Sequence, residues 1–401
     1  MQDADDASQA KIDVNRINSV SEGCVSRRGF LAGTGVATVG ALGGCMGILD
    51  TDPDTVTFGT LTIPAVSEVL VAKDSGYFED RDIELEIERI QSAPKATPKL
   101  ATGDLDVATG SIGASLFNSI AQDVDVRVVA DNTQFWPGQA AVRILARADA
   151  VPDTDSIYDL PEGLNIALHG KGNVDSYQFA RILALNDLTW DDMETTEMFY
   201  NHMASAMAEG GIDACAIPDP LGLQVLDKAD AKPLGYGSMV APRLQVASYI
   251  FGGPFADDNP DTATRWLEAY LEGVREYHDL GGSLSKEVAG IVNEELDLPV
   301  PLVRSSIPSI PHKNGHLNAE SIENQQAYHA CRGTVETMVD MDDVVDESYL
   351  EDALDTVGRV DSDEATPSRE KITEWEESAL SPYPPAGEIR TPDEFPTDST
   401  C

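Results

Sequence analysis

Apolar and polar positions along this chain keep two periods, and from Thr55 onward the pattern switches between them at short intervals. Val56 to Leu61 is a short β-rich run, Ser67 to Asp74 has helical spacing, and Ile83 to Ile90 alternates residue by residue. Helical spacing returns at Ala96 to Ala101 and at Ala114 to Ala121, with brief strands at Asp106 to Thr109 and Val126 to Ala130. Such βαβ alternation predicts a mostly parallel sheet with helices on both faces.

A second unit of the same kind runs through Ile144, Asn165 to Leu168, Asp175 to Leu185, Thr195 to Phe199, Ala204 to Ala208 and Asp213 to Ile217. The two units share a phrase. Leu100-Ala-Thr-Gly-Asp-Leu-Asp-Val-Ala108 matches Met207-Ala-Glu-Gly-Gly-Ile-Asp-Ala-Cys215. In each, a helix ends on glycine, which tolerates a left-handed cap, and an aspartate opens an apolar strand. The duplication predicts two α/β lobes with a cleft between them.

Beyond Tyr236 the pattern gives one strand, Gln245 to Phe251, and then a helix with a marked start. Asn259 is placed to cap it, Pro260 suits the first helical position, and Asp261 faces the positive end of the dipole. Trp266, Leu267, Tyr270, Leu271, Val274 and Tyr277 recur at helical spacing and read as core. Further helices are predicted at Lys286 to Leu296, Ser321 to Val339 and Tyr349 to Val357. The segment from Asp361, rich in Pro, Ser and acids, reads as disordered.

Charge changes the picture. The chain of 401 residues carries 70 acidic and 27 basic side chains, a formal net charge of -43. Nucleic-acid binding needs clustered Lys and Arg, so that class is excluded as a partner. Acidity spread along the whole chain resembles proteins of salt-loving archaea, whose carboxylates keep the surface hydrated. The five cysteines, Cys24, Cys45, Cys215, Cys331 and Cys401, show no metal spacing and no disulfide framework, and Cys215 and Cys331 read as small buried hydrophobes.

The first fifty residues read as an address. Ser26-Arg27-Arg28-Gly29-Phe30-Leu31 has the twin-arginine export pattern, and a weakly apolar run follows to Gly44, too short to span a bilayer. Leu42-Gly43-Gly44-Cys45 has the form of a lipobox, in which the Cys45 thiol carries the lipid. The 26 residues ahead of Arg27 are acidic, unlike a short basic leader. The address implies a lipid-anchored protein on the outer face of the cytoplasmic membrane, with residues 1–45 as signal and 46–54 as spacer.

Three phrases in the mature chain carry a resemblance: Gly59 to Pro64, Val71-Ala-Lys-Asp-Ser-Gly-Tyr-Phe78 and Gly103-Asp-Leu-Asp-Val-Ala108. Together they resemble the nitrate, sulfonate and taurine family of ABC-transporter substrate-binding proteins, and the likeness extends over Thr55 to Gly358. The family implies a type II periplasmic-binding-protein fold with two doubly wound lobes and a hinge crossed twice. It places lobe 1 at 55–138 and 245–358, lobe 2 at 139–244, and a tail at 359–401. It also implies a monomeric, non-enzymatic solute carrier without cofactor that serves a membrane permease and its cytoplasmic ATPase. Family members often have Trp-Glu-Pro after the second aspartate strand; this chain has Pro218-Asp219-Pro220.

Ligands of open parallel sheets bind beyond the carboxyl ends of the strands, so the loops there supply the candidate contacts. They include Ser67, Ser111, Ile112, Lys171, Asn173, Ser176 and Asp219. Gly110 to Ala114 and Gly170 to Ser176 open helices with small residues, a geometry suited to an oxyanion such as a sulfonate, nitrate or bicarbonate. Phe135 and Trp136 lie at the hinge crossing, where Trp136 could stack on a planar heterocycle such as a thiamine pyrimidine precursor, with Asp219 addressing it. Arg243 and Tyr249 are weaker candidates. His312 and His316 have ligand-like spacing, but Gly315 interrupts a helix there, and no metal site is expected. No GxSxG, HExxH or Walker spacing occurs. The enzyme alternative is a pyrimidine-forming relative on the same fold, whose cysteine cluster this chain lacks.

Overall fold

A computed structural model of the protein describes residues 53–90, 95–136, 139, 141–368 and 372. Arg27, Arg28, Cys45 and most of the segment after 368 lie outside these. Two five-stranded sheets organise the chain. The first comprises β1 (Asp54–Thr60), β2 (Ile83–Arg89), β3 (Val107–Ser111), β4 (Val126–Gln134) and β10 (Gln245–Gly252), in the order β2-β1-β3-β10-β4. The second comprises β5 (Arg143–Arg147), β6 (Asn165–Leu168), β7 (Glu194–Glu197), β8 (Ala214–Ile217) and β9 (Ala231–Tyr236), in the order β7-β6-β8-β5-β9. The chain therefore crosses between sheets twice, after β4 and after β9.

The two orders superpose strand for strand, and the repeated phrase explains how. Gly103 and Gly210 take φ of 73° and 76°, ending their helices in the left-handed region. Asp106 Oδ2 then accepts the Thr57 amide at 2.8 Å, and Asp213 Oδ2 accepts the Asn165 amide at 2.9 Å. Each aspartate thus pins its own strand to the parallel neighbour, at the middle of β1 and at the start of β6. Parallel pairing holds among β2, β1 and β3 and among β7, β6 and β8. It fails at β10 and β5, which are antiparallel to their neighbours on both sides. Each of these strands arrives from the other lobe, so it enters its sheet at the cleft end and runs the opposite way.

Helices cover the sheets: α1 (Ser67–Asp74), α2 (Ala96–Thr102), α3 (Ala114–Ile120), α4 (Val174–Leu185), α5 (Tyr200–Ala208), α6 (Leu221–Lys228), α7 (Gly253–Asp258), α8 (Pro260–Asp279), α9 (Lys286–Leu296), α10 (Val300–Ser305), α11 (Ala319–Cys331), α12 (Met341–Val344), α13 (Ser348–Val357) and α14 (Ser362–Ala365). The α8 stripe is fully buried, with Trp266 against Tyr249 and Tyr270 at ring distances of 5.2 and 5.9 Å. Burial of each such side chain contributes roughly 1.5–3 kcal/mol, which fixes α8 on the first sheet. Asn259 makes no side-chain cap, because α7 runs directly into α8; Pro260 and Asp261 sit as expected. Among the described residues no helix is long and apolar enough to cross a membrane.

Two expectations are corrected here. The helix expected over Ser321 to Val339 ends at Cys331, and Cys331 is exposed and disulfide-bonded rather than a buried hydrophobe. Cys215, by contrast, is free and buried. The described part of the segment read as tail is attached: Lys313 N donates to Ala365 O at 3.0 Å, and Ala365 and Ile372 are buried.

Candidate functional site

The loops at the carboxyl ends of β3 and β6 meet across the seam between lobes. Ala114 N, at the start of α3, donates to Gly172 O at 2.8 Å. A side chain at Gly172 would put its Cβ 2.7 Å from Ala114 Cβ, and one at Gly113 would sit 2.7 Å from Gly172 O. Glycine at both positions is what lets the lobes touch. Nearby, the Tyr328 hydroxyl on α11 donates to Ser176 O at 3.1 Å, and its ring meets Tyr177 edge-on at 5.5 Å. Elsewhere on the seam, Ile307 N donates to Asp219 Oδ2 at 3.0 Å, and Gln139 Nε2 donates to Pro308 O at 3.0 Å.

The expected contact residues have separate fates. Ser111 is half-buried at the end of β3, opposite Ala247. Lys171 is half-exposed at the rim, with Nζ 4.0 Å from Glu197. Asn173 caps α4, its Oδ1 accepting from Val174 N at 2.8 Å and its Nδ2 lying 2.6 Å from His169 Nδ1. The Ser176 hydroxyl donates to Lys171 O and Asn173 O, both at 2.8 Å. Ser67 is buried and donates to Pro64 O at 2.5 Å, and Ile112 is core.

Three expectations meet a physical obstacle. The amino end of α4 is already filled by Asp175, whose carboxylate accepts from His169 N at 2.5 Å and Ser176 N at 3.1 Å. Burial pushes the Asp175 carboxyl up to about 7. An oxyanion there would have to displace it. Trp136 is buried, donates from Nε1 to Ile310 O at 2.6 Å, and carries the Arg243 guanidinium 4.4 Å over its ring. That face is therefore occupied. Asp219 is fully buried in a two-pronged ion pair with Arg143, at 2.8 and 2.9 Å, which engages both of its oxygens. His312 and His316 lie 5.4 Å apart, yet burial, then His316 and Arg243, hold His312 down to about 3. Among the described residues no cluster of three or more His, Cys, Asp or Glu could hold a metal.

Sequence reasoning missed a polar network inside the first lobe. Glu68 Oε1 accepts from Asn132 Nδ2 at 2.9 Å and from the Tyr249 hydroxyl at 2.6 Å, while Oε2 finds no partner among the described residues. Desolvation pushes Glu68 up to about 8. Asp131, at up to about 7 for the same reason, accepts from Gln245 Nε2 and His312 N, both at 2.7 Å. An acid inside the apolar run Val126 to Ala130 and its continuation was the available signal for Asp131. Glu68 gave none, because an acid in a first helical turn is ordinary.

A sequence profile of the family described as NMT1/THI5 like matches residues 63–279. No curated protein matches the sequence. Several solved structures share the fold. The periplasmic nitrate-binding protein NrtA from Synechocystis is 13% identical, with 82% of this chain and 99% of that chain covered at a TM-score of 0.62. The periplasmic aliphatic sulphonate binding protein SsuA from Escherichia coli is 20% identical, covering 73% and 92% at 0.58. The desulfurization enzyme DszB, in complex with biphenyl-2-sulfinic acid, is 15% identical, covering 76% and 99% at 0.53.

Proposed function

The chain belongs to the NMT1/THI5-like family, and from that premise we propose that it is the extracytoplasmic solute-binding component of an ABC importer. It captures a small solute between its lobes and delivers it to a membrane permease. The observation that carries this reading is the seam, where paired glycines let the two lobes come into backbone contact. A ligand that touches both lobes favours such a closed state over an open one.

DszB shows that the fold also hosts an enzyme, so the fold alone does not decide between the classes. Against a cysteine nucleophile, burial pushes the Cys215 thiol up to about 12, and Cys331 is disulfide-bonded. Export through Arg27 and Arg28 and anchoring through Cys45 complete the reading, on the strength of the sequence motif. Arg27→Lys with Arg28→Lys should hold the precursor in the cytoplasm, and Cys45→Ser should release the exported protein or block its processing. Normal anchoring of the Cys45 variant would count against the lipid.

For the solute, a small oxyanion is the first reading. It is supported by the half-exposed Lys171 ammonium and by Ser111 at the end of β3, and by the fold shared with the nitrate-binding protein NrtA and the aliphatic sulphonate binding protein SsuA. In molar salt the Debye length is about 3 Å, so the distant carboxylates of this acidic chain are screened. A neutral heterocycle is the second reading, favoured by Asp175 already sitting at the amino end of α4. A calorimetric panel of sulfonates, nitrate, bicarbonate and pyrimidines, run in high salt on protein lacking the residues before Asp50, separates the two. Oxyanion binding weakened about tenfold in Lys171→Ala supports the first reading; pyrimidine binding indifferent to that change overturns it.

A further inference from the structure

Each crossing between the lobes ends at a residue in the left-handed region. Val142, with φ of 50°, is the last residue before β5, and Arg243, with φ of 65°, stands two residues before β10. These are equivalent places, where the chain enters the sheet of the lobe it has just reached. The other described residues with positive φ are glycines or the aspartates Asp82, Asp123, Asp187 and Asp297. Glycine and aspartate adopt this region readily, whereas a β-branched valine or a bulky arginine there is a genuine outlier. We infer that Val142 and Arg243 are the pivots of lobe closure, and that the strain they hold in the closed arrangement drives the solute-free protein open. The inference rests on the reading of the seam as a closing site.

Hydrogen bonds impose both conformations. At the first lobe Phe135 N donates to Leu244 O at 3.0 Å and Arg243 N donates to Phe135 O at 2.6 Å, which ties the two crossings together. Asn318 Nδ2 donates to Arg243 O at 2.5 Å, and the guanidinium lies over Trp136. At the second lobe Gly237 N is shared between Ala141 O and Val142 O, at 3.0 and 2.9 Å. Arg143, the next residue, is locked in its buried ion pair with Asp219. Each pivot is thus clamped by its neighbours, which is how a costly backbone conformation persists.

The link to closure is geometric. Two rigid lobes joined by two crossings can rotate only by changing φ and ψ at a few residues of those crossings. The arriving strands begin at Arg143 and Gln245, so the change falls ahead of them. Of the residues there, Val142 and Arg243 are the ones that gain stability by leaving their present wells. Seam contacts such as that from Ala114 N to Gly172 O oppose this gain, and a solute touching both lobes adds to them. Strain at the pivots therefore makes solute binding, rather than the fold alone, decide when the lobes shut.

Amide hydrogen exchange of the full-length protein without solute tests the inference. Ala114 opens α3, so its N–H has no acceptor within the helix and is protected only while it bonds Gly172 O across the seam. The parent should show little protection at this amide. Val142→Gly, which relieves the strain, should slow its exchange about tenfold, and Val142→Thr, still β-branched, should match the parent. Arg243→Gly should exchange more slowly than Arg243→Ala by a similar factor, a comparison in which both variants lack the guanidinium. Equal rates within either pair, faster exchange in a glycine variant, or a parent amide already protected about a hundredfold would overturn the inference. Because no solute enters the measurement, failure of every solute in the calorimetric panel would count against the closing-site reading and leave this result standing.

Discussion

The two lobes share one strand order and one aspartate pin, and each buries a carboxyl that desolvation raises, yet only the second also buries an acid against a cation. In the first lobe Glu68 on α1 and Asp131 in β4 are buried among amide, hydroxyl and main-chain donors, and desolvation raises both carboxyls toward or past neutrality. In the second, Asp219 and Arg143 are buried together as a two-pronged pair that ties β5 to the loop after β8 and, through Ile307, to the first lobe. A shared topology thus leaves the interior chemistry open: a buried acid without a cation is neutralised by its surroundings, and one with a cation becomes a structural rivet.

Breaking the rivet should have the largest effect. Asp219→Ala leaves the Arg143 cation buried alone and should cost about 3–5 kcal/mol in denaturant unfolding, whereas Arg143→Met with Asp219→Leu should recover most of the loss. A single variant as stable as the parent would remove the distinction between the lobes.

The buried acids without a cation, Glu68 and Asp131 in the first lobe and Asp175 in the second, should instead respond to pH. The folded carboxyl of Glu68 is raised from 4.5 to about 8, so the folded state holds its proton more tightly than the unfolded one. Stability from this group is therefore full below pH 4.5 and is lost as pH rises to about 8, with Asp131 adding the same slope between 3.8 and about 7. The combined loss is on the order of several kcal/mol, and Glu68→Gln should flatten much of it in melts run across that range. An unchanged slope in Glu68→Gln would show that the buried acid is charged at neutral pH. The smallest effect is expected at the amino end of α4, where Asn173→Ala removes a cap and should cost about 1 kcal/mol by thermal melting.

How much of this was legible follows from the kind of signal each feature leaves. Local periodicity placed α1 and α9 at their observed limits and α4 within one residue, and the repeated Gly and Asp phrases announced two equivalent lobes. β9 was missed because Ala231-Lys-Pro-Leu-Gly-Tyr236 breaks strand alternation with Pro and Gly, and its pairing with β5 is a tertiary fact. The small residues read as oxyanion loops, Gly110 to Ala114 and Gly170 to Ser176, lie where the lobes meet, and their mutual contact, which needs glycine at Gly172 against Ala114, left no signal in the sequence. The partners of Trp136 and Asp219 were illegible: Arg243 and Arg143 lie 107 and 76 positions away in sequence and meet them only once the chain has crossed between sheets.

The central claim is that the seam is a closing site for a solute, and small-angle scattering tests it most directly. With the tightest-binding solute of the calorimetric panel at saturation, the radius of gyration should fall in the parent. Gly172→Val, whose side chain would meet Ala114, should keep the larger radius and bind that solute at least about tenfold more weakly while melting like the parent. An unchanged radius in the saturated parent, with Gly172→Val binding as tightly, would contradict the account.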